Sequence, residues 1–310
     1  MMLSRVAERL YWMARYLERT ENTARLTQAY THLIMDIPAG SEPGWDILVH
    51  ILDGGHQFGE GRAFSEQNVL KFLIGDEENP SSIPFCVKAA RENVRTTRDV
   101  LPEELWEHVN ELYLFSQEQA SKSVGRRNRH GFLEEVISRC QLINGLLMTT
   151  LCRDHAYRFV KLGYLLERAD MTTRIIDVGA GALLSNERLN EAVDALIWAS
   201  LLRSLSAMDS YRRTVGPLVE GSAVVNFVFC DASLPRSLRF CLDGIRRELV
   251  PLKNNEEAVR VLDRTRRSLS RFNSEKAGRD ELHRFIDRFQ TGLNTLSGVI
   301  STRWFMPLNT

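Results

Sequence analysis

Apolar residues recur along nearly the whole chain at three- and four-residue steps, the spacing of a helix face, and almost nowhere at the alternating spacing of a strand. In the first segment Leu3, Val6, Leu10, Met13 and Leu17 form one stripe, while Trp12, Tyr16 and Leu26 lie off it. A helix apolar on several faces is packed on several sides. Continuous from about Leu3 to Ile37, it would be roughly 50 Å long. Prolines punctuate the rest. Pro38 and Pro43 end the first helix, Pro102 and Pro235 stand where helices begin, Pro217 and Pro251 mark later breaks, and Pro307 closes the pattern. The spacing predicts further helices over 83–100, 103–123, 132–152, 155–178, 187–212, 236–249, 256–272 and 279–303. The β-branched and aromatic runs Val69–Ile74 and Val224–Phe229 have no partner segment to make a sheet, so short helices or extended loops are expected there. The fold class expected is all-α, a multi-helix bundle.

The pattern also repeats. Tyr16–Arg25 (YLERTENTAR) aligns with Leu165–Arg174 (LLERADMTTR), pairing Glu18 with Glu167, Arg19 with Arg168 and Arg25 with Arg174. Further on, Val69–Cys86 aligns with Val224–Cys241, pairing Phe72 with Phe227, Asp76 with Asp231 and Pro80 with Pro235. The offsets are 149 and 155 residues, so one six-residue insertion reconciles them. The expectation is one helical domain over residues 1–310, built from two duplicated halves related by a pseudo-twofold. The repeats would span about 9–98 and 158–253, with further C-terminal helices over 254–306.

Within the repeated helix, Arg25 can pair with Glu21 and Arg174 with Asp170 at i,i+4, acid on the favoured N-terminal side. Glu167 and Arg168 have no opposite charge three or four residues away, Arg19 has no local acid, and Glu18 has only Arg15. Three readings follow. The first is a reciprocal bridge, with Glu18 reaching the second copy's arginines and Glu167 the first copy's, since buried charge must be paired. The second is a polar groove taking a charged ligand or partner side chain, and the third is solvent exposure. The candidate site is therefore Glu18, Arg19, Arg25, Glu167, Arg168 and Arg174. Glu18-x-x-Glu21 and Glu167-x-x-Asp170 would offer four carboxylates to a metal, but carboxylate-bridged bundles use Glu-x-x-His, absent at that spacing. No metal is expected.

Forty basic residues balance forty acidic ones. That argues against nucleic acid or an anionic membrane as the main partner. Charge is uneven, with eight acids and two bases over 42–78 but fourteen bases and nine acids over 236–288; solvated helix faces are the first explanation, an acidic partner the second. Five cysteines without a C-x-x-C pair read as buried apolar residues in a reducing compartment. No secretory leader and no membrane-length apolar run is visible, so a cytoplasmic location is expected. Phosphate-loop, dinucleotide, H-E-x-x-H and G-x-S-x-G patterns are missing, and no cofactor is expected. Arg126-Arg127-Asn128-Arg129-His130 falls between predicted helices and reads as a solvated loop, with an anion contact as the second reading. In the turn Asn79–Ile83, Asn79 or Ser81 is available to cap the following helix.

Together these stretches resemble the alpha-E family, bacterial helical proteins named for a Glu-Arg motif. The matching residues are Ser4–Trp12, Tyr16–Arg19, Glu21–Arg25, Asn79–Asn93, Leu166–Asp170 and Pro235–Ser237. The resemblance implies genomic company with circularly permuted ATP-grasp ligases and transglutaminase-like peptidases, sometimes as a fusion to the ligase. It implies a role in making or modifying a peptide through amide bonds, as an accessory or partner protein rather than a catalyst alone. Two alternatives stand beside it: a stand-alone enzyme with Glu18 or Glu167 as acid or base, and a homo-oligomeric helical scaffold.

Overall fold

The computed structural model describes residues 3–38, 40, 42–184, 191–274 and 276–306. Pro307 and the start of the helix expected over 187–212 lie outside them. Among the described residues there is no strand. Helix α1 (Ser4–Asp36) runs unbroken for 33 residues. Four short segments follow: α2 (Asp46–Ile51), α3 (Gly55–Phe58), α4 (Glu66–Leu70) and a wide π-type turn over Lys71–Gly75. Then come α5 (Ile83–Arg95), α6 (Glu103–Gln119), α7 (Arg126–Thr150) and α8 (His155–Leu184). The C-terminal part holds α9 (Glu191–Ser204), α10 (Met208–Thr214), α11 (Gly221–Cys230), α12 (Leu238–Leu249), α13 (Glu256–Arg271) and α14 (Arg279–Ile300).

Helix α1 is the axis of the molecule. It packs against α5, α7, α8 and α9, which is why apolar residues circle it instead of forming one stripe. Leu10, Met13, Ala14, Leu17, Ala24 and Leu33 are all buried. Its closest neighbour is α8, which advances in the same sense, so that Tyr11 meets Gly163 and Glu18 meets Arg168. A Cβ on Gly163 would lie 2.3 Å from the Tyr11 carbonyl oxygen, so the glycine permits the two backbones to touch. Helix α14 lies along α8, with His283 at Asp177 and Gln290 at Thr173, and brings Ser297 Oγ to 2.9 Å from Tyr11 Oη; beyond it Phe305 packs on Tyr11 and Phe159.

The turns before α5 and α12 are built alike. Ser82 Oγ accepts from the Phe85 N–H and Ser237 Oγ from the Phe240 N–H, so each caps its helix. Each hydroxyl donates in turn to a carbonyl six residues back, of Asp76 and of Asp231. Thr23 Oγ1 donates to Ser81 O and Thr172 Oγ1 to Arg236 O, tying each turn to α1 or α8. Cys86 and Cys241 sit at the same place in the two turns, and burial pushes both thiols up to about 12.

Three sequence expectations are corrected. The cap of α5 is Ser82, not Asn79 or Ser81; Asn79 is used instead to donate to Phe72 O and to accept from the Ser81 N–H. The helix expected to run through to residue 212 stops at Ser204. Ser206 takes a left-handed φ of 51°, and the Ala207 and Ser206 N–H groups close back onto Leu202 and Arg203 carbonyls as a Schellman turn. Finally, Arg126–His130 is not a loop but the opening of α7.

Candidate functional site

Glu18 and Glu167 lie on the touching faces of α1 and α8, and both are buried, at 0% and 2% exposure. A carboxylate there must be compensated, and each is compensated from the other helix. Glu167 Oε2 accepts from Arg15 Nε at 2.6 Å, and its Oε1 from Arg19 Nε at 2.6 Å. Arg19 Nη2 adds a third contact to Oε2 at 3.1 Å. In the reverse direction Arg168 forks onto Glu18, Nε to Oε1 at 2.9 Å and Nη2 to Oε2 at 2.6 Å. The reciprocal bridge is the arrangement present.

Arg25 and Arg174 do what their spacing predicts. Arg25 Nε donates to Glu21 at 2.7 Å and Arg174 Nε to Asp170 at 2.9 Å, Arg174 also reaching Asp53. The ion pairs fall into three groups: Glu167 with Arg15 and Arg19, Glu18 with Arg168 and at one remove Arg25, and Arg174 with Asp170 and Asp53.

The link from Glu18 to Glu21 and Arg25 is a residue that sequence reasoning missed. Arg236, from the turn before α12, enters between the helices and is almost wholly buried. Its Nη1 donates to Glu18 Oε1 at 2.7 Å and to Asn22 Oδ1, and its Nη2 to Glu21 Oε1 at 3.1 Å. The one available signal was that Arg236 stands where the matched turn has Ser81. Arg15 was misread as well: its sequence neighbour Glu18 is not its partner, and it serves Glu167 while its guanidinium lies over the Trp12 ring.

The electrostatics follow from this geometry. Burial alone would raise the Glu167 pKa, but the Coulombic pull of Arg19 and Arg15 and their hydrogen bonds outweigh it and hold the carboxyl at about 2. Burial likewise works against ionised Glu18, and Arg168 and Arg236 win there too. Asp170 is the exception. Burial raises its pKa beyond what Arg174 restores, and its Oδ1 is buried without a hydrogen-bond partner. The Asn22 amide nitrogen and the Tyr164 hydroxyl are buried and unpartnered in the same region.

Chemically, the cluster is closed. At neutral pH both carboxyls are ionised acceptors whose oxygens are filled by guanidiniums, so neither is poised to give or take a proton there. The arginines are the more accessible members, Arg19 keeping 19% of its side chain exposed and Arg15 13%. Among the described residues no group of three or more His, Cys, Asp or Glu is arranged to hold a metal ion, and Glu18, Glu21, Glu167 and Asp170 are each engaged by arginines. No helix among these residues is long and apolar enough to cross a membrane.

Residues 2–305 match the Alpha-E family, described as a predicted alpha-helical domain with a conserved ER motif, and the chain belongs to that family. It is also 24% identical over 284 residues to uncharacterized proteins of Mycobacterium bovis and of Mycobacterium tuberculosis. The match covers 83% of this chain but only 30% of each relative, so the chain spans under a third of their length. No solved structure matches.

Proposed function

We propose that this member of the Alpha-E family is an accessory partner of a circularly permuted ATP-grasp amidoligase, acting with it, and with a transglutaminase-like peptidase, in making or modifying a peptide. The observation that carries the reading is the closed Glu-Arg cluster. A motif whose carboxylates are saturated inside the protein supports a structural use of those residues, leaving ATP chemistry to a separate enzyme. The mycobacterial relatives support it as well, because there the matched segment is 30% of a longer chain, the arrangement expected of a unit that works beside others. The setting proposed is the cytoplasm, where ATP is available and where the five cysteines, all free, would stay reduced. The two halves are proposed to derive from a duplication, which the like-built turns before α5 and α12 support.

The test is co-expression of the full chain with the ATP-grasp ligase encoded beside it, followed by ATP turnover of the ligase with and without this protein. The expected result is co-purification and a change in turnover. If the two never co-purify and turnover is indifferent to this chain, the proposal fails.

A further inference from the structure

Apart from the ion cluster, a cleft of about 550 Å³ opens between the C-terminal part of α1, the Trp45 turn and the first two turns of α7. Part of its lining is apolar, from Ile34, Met35, Trp45 and Leu133. Met35, at its rim, is 70% exposed. The rest is cationic or polar. Arg126 and Arg129 line it together with His32 and His130, whose rings lie 5.5 Å apart.

The cationic part is poorly explained by folding alone. Helix α7 is 25 residues long and begins with Arg126, Arg127 and Arg129, yet has no acid in its first turn and no capping side chain at Gly125. Positive charge at the N-terminus opposes the helix dipole and is destabilising. Among the described residues Glu66 is the one carboxylate paired with either lining arginine, at 2.8 Å from Arg126 and 2.9 Å from Arg129. Arg129 is itself only 4% exposed. Its Nη1 and Nη2 are bonded to Glu66 and to Val124 O, while its Nε is buried with no partner. Two guanidiniums and one carboxylate leave a single uncompensated positive charge against an apolar lining. A dianion would meet Glu66, whereas a monoanion balances the site.

We propose that this cleft binds an apolar monocarboxylate, its carboxylate beside Arg126 and Arg129 and its apolar body against Trp45, Met35 and Leu133. A peptide ending in a free C-terminal apolar residue and a short fatty acid share that chemistry. The proposal rests on the cleft and is independent of the ligase reading.

The test titrates the full chain with four probes: N-acetyl-alanyl-phenylalanine, its C-terminal amide, hexanoate and inorganic phosphate. The readout is the imidazole NMR signals of His32 and His130. Saturable shifts with the peptide acid or with hexanoate support the site, and the tighter of the two identifies the source of the carboxylate. The amide and phosphate should bind at least about tenfold more weakly, the value of one charge-assisted contact. Arg126→Gln, at a largely exposed side chain, should weaken the acid by about tenfold, and Met35→Glu should abolish binding, both with an unchanged melting temperature. Equal binding of acid and amide, equal binding of phosphate, no saturable shift at millimolar probe, or indifference to Arg126→Gln would each overturn it.

Discussion

Replacing Glu167 by glutamine keeps the side chain's shape and removes its charge. Arg15 and Arg19 would then face each other with no counter-charge, and the new amide N–H₂ would point a donor at one of two donors. The magnitude can be reached by two routes. The Glu167 pKa falls from an ordinary 4.5 to about 2, and at roughly 1.4 kcal/mol per tenfold in proton affinity that is ~3 kcal/mol of native-state stabilisation. Removing one partner of a buried pair costs about 3–5 kcal/mol in general. The pH dependence has a fixed sign. A carboxyl depressed on folding stabilises the native state fully above its ordinary value of 4.5 and loses that contribution as pH falls towards 2. Urea denaturation followed by circular dichroism should therefore show Glu167→Gln less stable by ~3 kcal/mol near pH 7, with the gap narrowing by about pH 3. Exposed Glu104→Gln is the control, expected within about 0.5 kcal/mol of the parent. A loss below about 1 kcal/mol at neutral pH, or a gap that does not narrow in acid, would refute the account.

Gly163→Ala should lower stability by about 2 kcal/mol, because the new methyl would sit 2.3 Å from Tyr11 O and 3.0 Å from the Ala14 Cβ; an unchanged melting temperature would mean α1 and α8 do not touch there. Ser82→Ala and Ser237→Ala should each cost about 1 kcal/mol in denaturant titrations, and a loss at one site alone would show that the two caps are not equivalent. Asp170 has the opposite sign to Glu167. Its raised folded pKa favours the native state below the unfolded value and disfavours it as pH rises, so melts over a pH series should show the parent losing ground to Asp170→Asn above about pH 4. A difference that stays flat with pH would contradict the burial of that carboxyl.

Helix α1 was legible almost to the residue, Ser4–Asp36 against an expected 3–37, because apolar steps run through it and Pro38 stops it. The reciprocal bridge was legible for a negative reason: Glu167 and Arg168 have no partner within a turn of their own helix. What could not be read are contacts that only tertiary structure selects. Arg15 has an acid three residues away, but an exposed i,i+3 pair is worth a few tenths of a kcal/mol and a buried carboxylate from α8 outcompetes it. Arg236 joins Glu18 across 218 residues, and nothing local distinguishes it from the other arginines of a basic segment. Ser206 ends α9 with a left-handed serine, where sequence rules look for glycine or proline. The start of α7 was missed because three clustered arginines read as solvated, although Arg129 is buried against Glu66.

A buried ion cluster is a weak source of net stability, since well-packed apolar residues of the same volume do as well or better. Its distinctive property is intolerance of misalignment. Sliding α8 by one turn along α1 would strand Glu18 and Glu167 without a guanidinium inside the core. The Glu-Arg motif is thus best suited to fixing the register of the two central helices, and through them the positions of the turns before α5 and α12. This is separable from stability by experiment. The triple change Arg15→Met, Arg19→Met and Glu167→Leu removes one arm of the cluster without stranding a charge, so its denaturation free energy should equal or exceed that of the parent. If the arm sets register, backbone amide NMR spectra of the triple variant should broaden or double along α1 and α8, while Glu167→Gln, which keeps the arginines, is merely destabilised. A triple variant with a single sharp set of signals would show that apolar packing and the Gly163 contact align the helices unaided.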